Sequence, residues 1–202
     1  MANKYTQLAF TDTVRRVQDT LGSREIYART EAGALEHHRL GDLERAFIEA
    51  RDSFYLASVG ETGWPYLQHR GGPAGFLKVL DPSTLGFADY AGNRQYITTG
   101  NVLGNDRVSL FLMDYPNRRR LKLLGRMELV SGSGDHGLDR LHDGDYRARV
   151  ERYMIIHVEA FDWNCPKHIT RRYTQAEVEQ LLEPLREEIR VLKMRAEGAA
   201  SS

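Results

Sequence analysis

The amino-acid sequence predicts a mainly β protein with peripheral helices: an antiparallel sheet closing toward a barrel, with helical additions at both ends. Three observations lead there. Between residues 54 and 161, seven short runs alternate apolar and polar side chains, the period of a strand buried on one face. Clusters such as E-T-G-W-P and L-D-P-S-T divide them, which is turn chemistry. Outside that stretch, apolar residues recur at helical spacing. With 202 residues, 41% of them hydrophobic, the chain is long enough to bury one real core. The expected organisation is an N-terminal helical extension over 1–41, the β domain over 42–170, and a C-terminal helix with a frayed tail over 171–202.

The elements follow in order. Thr11 or Asp12 can cap a helix whose apolar positions are Val14, Val17 and Leu21, and Gly22 stops it. Asp42 precedes a second short helix with Leu43, Ala46, Phe47 and Ala50 on one face. Asp42 and Arg51 suit the two ends of its dipole. Strands are expected at 54–59, 66–70, 76–80, 84–88, 108–113, 121–130 and 153–161. Close spacing of the early runs favours hairpins, and seven short strands favour a closed barrel, which removes exposed edges. Residues 94–103 and 138–149 are expected as helical insertions. Thr174 and Glu177 form a capping box ahead of the stripe Val178, Leu181, Leu182, Leu185, Ile189 and Leu192. Pro184 is expected to kink or divide this helix, and the last six residues to fray.

Charge narrows the function. Lys and Arg number 28, as do Asp and Glu, so the whole chain is no polyanion binder, and any electrostatic site is local. Residues 60–130 carry nine Lys and Arg against six Asp and Glu, a surplus of three. A single cysteine, Cys165, cannot close an intramolecular disulfide. The N-terminus lacks a signal-peptide core and no run reaches transmembrane length, so a cytoplasmic protein bound to neither membrane nor nucleic acid is expected. His37 and His38 are adjacent, His136 and His142 share a polar stretch, and neither pair has metal-ligand spacing, so no metal is expected. Catalytic residues cannot be assigned by spacing.

The basic segments are the candidate chemistry. Alternation puts Gln68 and Arg70 on one face of their strand, with Leu67 and His69 on the other, and Gly71 and Gly72 leave room for a ligand near the backbone. In D-Y-A-G-N-R-Q-Y a strand end meets a turn before a helix, a natural anion site, where Asn93, Arg94 and Gln95 add donors. A plain capped loop would look the same. Arg118, Arg120 and Lys122 are expected on one strand face with Arg119 opposite, and a solvated basic edge is the usual fate of such a run. Phosphate would suit this set, because arginine offers a planar fork of donors.

The ordered motifs W-P-Y-L-Q-H-R-G-G, D-Y-A-G-N-R-Q, N-V-L-G-N-D-R and N-C-P-K-H-I resemble the pyridoxamine 5'-phosphate oxidase-like family of FMN-binding split β-barrels over roughly residues 43–169. The similarity is to its predicted flavin-nucleotide-binding branch. It implies FMN held at the interface of a homodimer and an oxidoreductase acting on a small molecule. A non-catalytic flavin carrier or redox sensor, or a deazaflavin- or haem-using barrel, are the alternatives. By the resemblance, His69 and Arg70 meet the flavin and its phosphate, Asp89 and Tyr90 line the ribityl and ring region, and Asn93, Arg94 and Gln95 form the phosphate turn. Arg120 aligns with a polar residue that contacts the ring, Lys122 lies on the same face, and Trp163, Asn164, Cys165 and Lys167 approach from the barrel end. The C-terminal Trp-Pro-Arg substrate motif of the true oxidases is absent, so flavin binding is more strongly implied than vitamin B6 oxidation.

Overall fold

Burial alternates along β1 (Ser53–Val59), where Phe54, Leu56 and Ser58 are buried and the residues between them are not. The computed structural model, which describes residues 4–32, 38–131, 138–144, 146–163 and 166–200, turns each expected run into a strand. They are β1, β2 (Pro65–Gly71), β3 (Lys78–Asp81), β4 (Thr84–Tyr90), β5 (Arg107–Asp114), β6 (Arg119–Val130) and β7 (Val150–Trp163). The helices are α1 (Lys4–Ala9), α2 (Asp12–Thr20), α3 (Arg24–Ala32), α4 (Asp42–Glu49), α5 (Ile97–Gly104) and α6 (Gln175–Ala200). The chain forms two compact units, residues 1–113 with 119–165 and residues 114–118 with 166–202.

One antiparallel sheet runs β2-β1-β5-β6-β7-β4-β3, the arrangement of a split barrel. Its inner face carries Phe54, Leu56, Leu85, Phe87, Leu110, Leu121, Leu123 and Ile156, all buried. Phe54 stacks on Phe76 at 5.5 Å and meets Phe87 edge-on at 5.3 Å. Burying each such side chain contributes about 1.5–3 kcal/mol. The β6–β7 ladder is the longest and shifts register between Leu124 and Gly125. Gly125 is required there, because a Cβ would sit 2.7 Å from the His157 carbonyl oxygen.

Thr11 caps α2, as expected, by accepting from the Val14 amide at 3.4 Å. The buried face of α4 differs from the expected one. Phe47 is buried with Glu44 and Ile48, while Leu43, Ala46 and Ala50 are exposed. The reason is Trp163, whose Nε1 donates to Glu44 Oε1 at 2.7 Å and turns the helix toward the barrel. Residues 138–149 were expected to be helical; among the described residues there, only the 3-10 turn Asp139–Leu141 forms. Side-chain anchors hold this stretch instead: Lys78 Nζ reaches Asp143 at 2.7 Å, and Leu141 is fully buried. Of the basic run, Arg118 lies before β6 at φ 54° rather than on the strand face. In the second unit, Thr174 and Glu177 close the expected capping box, and α6 runs through Pro184 to Ala200 without dividing.

Helices α2 and α3 are pinned by charge. Arg24 donates to both carboxylate oxygens of Glu31 and to Gln18 Oε1, and Arg15 Nε adds a contact to Glu31 at 3.4 Å. The hydrogen bond from Arg24 holds the Glu31 carboxyl below its ordinary value of 4.5, against partial desolvation. A depressed carboxyl stabilises the fold above its unfolded value, and that contribution disappears as pH falls through the folded value. Amide protection factors in α2 and α3 are therefore expected to drop below pH 4.5, with the barrel still protected. In Glu31→Gln this step should be absent from the same exchange measurement; its persistence would assign acid sensitivity elsewhere.

Candidate functional site

The site lies where the sheet fails to close. Strand β2 is one edge, and its pleat turns Tyr66, Gln68 and Arg70 inward, opposite Ser58, Leu56 and Phe54 of β1. Across the gap, β4 delivers Asp89 at its end, paired in register with Arg152 of β7. Arg70 Nη1 spans the gap to Asp89 Oδ1 at 2.6 Å, and Arg152 Nε stands 3.5 Å from the other oxygen. Asp89 is 6% exposed. Burial pushes its carboxyl up, opposed by the two guanidinium groups and reinforced by Glu151. Both Arg70 Nε and Arg152 Nε are buried with no hydrogen-bond partner. Orphaned donors of this kind call for an explanation, and a ligand acceptor is one.

The second wall is the loop from Ala91 to Tyr96 with the start of α5. Arg94 at φ 59° and Tyr96 at φ 54° are left-handed, and non-glycine residues adopt that region at a cost of about 1–3 kcal/mol. Local bonds maintain the bend. Asn93 Oδ1 accepts from the Gln95 amide at 3.2 Å, Arg94 Nε donates to Tyr96 Oη at 3.2 Å, and Tyr96 Oη donates to Glu151 at 3.2 Å. No side chain caps α5, so its first amides lack an internal partner at this wall. Thr98 Oγ1 donates to Gln68 Oε1 at 3.1 Å, which fixes the amide of Gln68 in the gap.

Between these walls is a cavity of about 350 Å³. It brings together seven residues singled out from the sequence: His69, Arg70, Asp89, Tyr90, Asn93, Arg94 and Gln95. His69 sits at the rim with its ring edge-on to Tyr55 at 5.7 Å. The Tyr90 hydroxyl donates to Asp143 at 3.3 Å, and its ring meets Tyr146 at 4.8 Å. Burial, and then the Asp143 carboxylate, push the Tyr90 phenol up to about 12. It therefore remains a neutral donor at any physiological pH.

Lys122, Arg120 and Trp163 are not among the residues that line the cavity. Lys122 pairs with Asp162 at 2.9 Å and rests over Tyr5 of α1. Burial opposes its charge, but the Asp162 carboxylate outweighs burial and holds Lys122 above its ordinary value. Arg120 lies on the outer face of β6 over Phe111, with a buried Nε that has no partner. Trp163 is packed: edge-on to Phe47 at 4.8 Å, covered by Arg119 at 4.6 Å, and bonded to Glu44. Lys167 is exposed in the second unit, and Asn164 and Cys165 lie outside the described residues. Sequence reasoning did not assign Tyr96, Thr98, Glu151 or Arg152 to the site. Glu151 and Arg152 carry no local signal beyond being charges at the start of a buried strand.

Residues 40–176 match the family described as pyridoxamine 5'-phosphate oxidase. No curated protein matches the chain. Among solved structures, HupZ of Group A Streptococcus is 16% identical with a TM-score of 0.50, covering 66% of this chain and 99% of its own. An FMN-binding protein from Syntrophomonas wolfei is 13% identical with a TM-score of 0.47, covering 76% and 96%. General stress protein 26 of Bacillus anthracis is 13% identical with a TM-score of 0.40, covering 58% and 88%. At such identities the likeness to HupZ is one of fold. No helix among the described residues is long and apolar enough to cross a membrane.

Proposed function

Because the chain belongs to the pyridoxamine 5'-phosphate oxidase family, we propose that it binds FMN with the phosphate in the cavity between β2 and the Ala91–Tyr96 loop. The observation that carries this reading is convergence. Two arginines from separate elements, an amide-bearing turn held in a strained conformation and an uncapped helix start all face one cavity. The donor set suits a phosphate. Arg70 and Arg94 line the cavity, Arg152 behind them pairs with Asp89 and Glu151, and Arg70 still has an unsatisfied N–H. Asp89 positions Arg70 rather than competing for the ligand, since one of its oxygens is already taken at 2.6 Å.

Bound FMN would supply hydride and electron transfer, and the reading is therefore an oxidoreductase acting on a small molecule. The chain's own residues bind, orient and exclude water. Tyr90 donates a hydrogen bond without exchanging its proton near neutrality, so it is a positioning group and not an acid or base. A cavity of about 350 Å³ is at the low end of the roughly 300–1,000 Å³ range for cofactor pockets. A homodimer would complete it. Trp64 and Leu67, 78% and 64% exposed beside the open edge, are apolar surface for such an interface. Of the remaining candidates, Arg120 suits a flavin presented across that interface, because its Nε is unsatisfied; Lys122 and Trp163 already have partners.

Titration of the apoprotein with FMN and with riboflavin, read by flavin fluorescence, tests the phosphate placement. FMN is expected to bind at least tenfold more tightly than riboflavin. In Arg94→Ala most of that discrimination should vanish, because the riboflavin affinity does not depend on a phosphate contact. Equal affinity for the two flavins would reject the phosphate site.

A further inference from the structure

The apolar stripe of α6 lies on a helix of 26 residues, about 39 Å long, and its members are 37% (Leu182) to 59% (Leu181) exposed. Its spacing is a heptad. Val178, Leu185 and Leu192 take position d, while Leu182, Ile189 and then Ala196 take position a. Pro184 falls at c, off the apolar seam, and α6 continues through it. We propose that α6 pairs with α6 of a second copy of this chain as a parallel two-stranded coiled coil. The proposal is independent of the flavin reading.

Charge selects this occupant and its direction. The e flank carries Glu179, Arg186 and Lys193, and the g flank carries Leu181, Glu188 and Arg195. In a parallel pair, Glu188 at g faces Lys193 at e of the partner helix, once on each side, and no like charges meet. In an antiparallel pair with the same core layers, Arg186 would face its own copy and so would Glu188. Those two repulsions offset the attraction of Glu179 for Lys193. In the middle of the helix, the β-branched Ile189 at a between Leu185 and Leu192 at d favours two strands over three or four. Within each helix, Arg186 pairs with Glu179 at 2.6 Å, which lays it along the flank and leaves the seam apolar.

Cysteine cross-linking of the full chain in a Cys165→Ser background tests this. Leu185→Cys, Ile189→Cys and Glu187→Cys are oxidised separately and resolved on non-reducing gels. Positions 185 and 189 are expected to form disulfide dimers at least tenfold faster than position 187, which faces outward. Equal rates at all three, or no cross-link at any, would overturn the proposal. Cross-linking only when the 185 and 189 variants are mixed would mark an antiparallel pair and overturn it as well. FMN titration of the unsubstituted chain reads the flavin site separately, so failure of one reading leaves the other standing.

Discussion

Replacing Arg70 by alanine is expected to weaken FMN binding about a hundredfold and to destabilise the ligand-free protein at the same time. The two losses have different origins. The affinity falls because an arginine with an unsatisfied N–H leaves the cavity, and a charge-assisted hydrogen bond contributes about 1.5–3 kcal/mol. The stability falls because Asp89, buried and joined to Arg70 at 2.6 Å, keeps only Arg152 at 3.5 Å. Breaking a buried pair by removing one partner typically costs about 3–5 kcal/mol. The double variant Arg70→Ala/Asp89→Ala should recover much of the stability in urea denaturation and none of the affinity in fluorescence titration. If Arg70→Ala binds FMN as the parent does, the arginine is only a clasp between β2 and β4.

Phe54→Ala is expected to cost about 3–5 kcal/mol, close to the limit for a single core truncation. Phe54 is 1% exposed and joins two other rings, stacked on Phe76 and edge-on to Phe87. Neither neighbour can move into the space, since both are themselves packed by the sheet and are almost completely buried. Urea or thermal unfolding measures the loss directly. A cost under about 1 kcal/mol would mean that the core relaxes around the hole, contrary to its packing. Phe76 and Phe87 also line the cavity, so the variant should loosen cofactor binding too.

The strands were legible because alternation and turn residues are local signals, and all seven expected runs are strands. What went unread depends on contacts distant in sequence. The exposed Leu43 and buried Glu44 of α4 reverse their usual preference because Trp163, 119 positions away, needs an acceptor. Residues 138–149 look helical by composition, yet Lys78 and Tyr90 hold the Asp143 carboxylate, and the described residues there form only a 3-10 turn. The site shows the same division. Arg70 and Arg94 stood out as charges in unusual local settings, and Gln68 shared a strand face with Arg70. Arg152 is recognisable only once β7 is paired with β4, because its meaning comes from Asp89 across the ladder. Tyr96 is similar, since its left-handed backbone is a consequence of the loop it closes.

The strand order also sets a timetable for folding. β1 and β2 are joined by a short turn and can zip as soon as both have been synthesised. β4 and β7 match Thr84 with His157, about seventy positions apart, so that ladder must wait for a long intervening loop to close. Chains dominated by such pairings fold in roughly milliseconds to seconds, against microseconds for helical bundles. During that interval the inward rows of β4, Leu85 and Phe87, have no cover. The hazard of this architecture is therefore greatest before its first complete turn of sheet exists, when a neighbouring nascent chain can supply the missing strand.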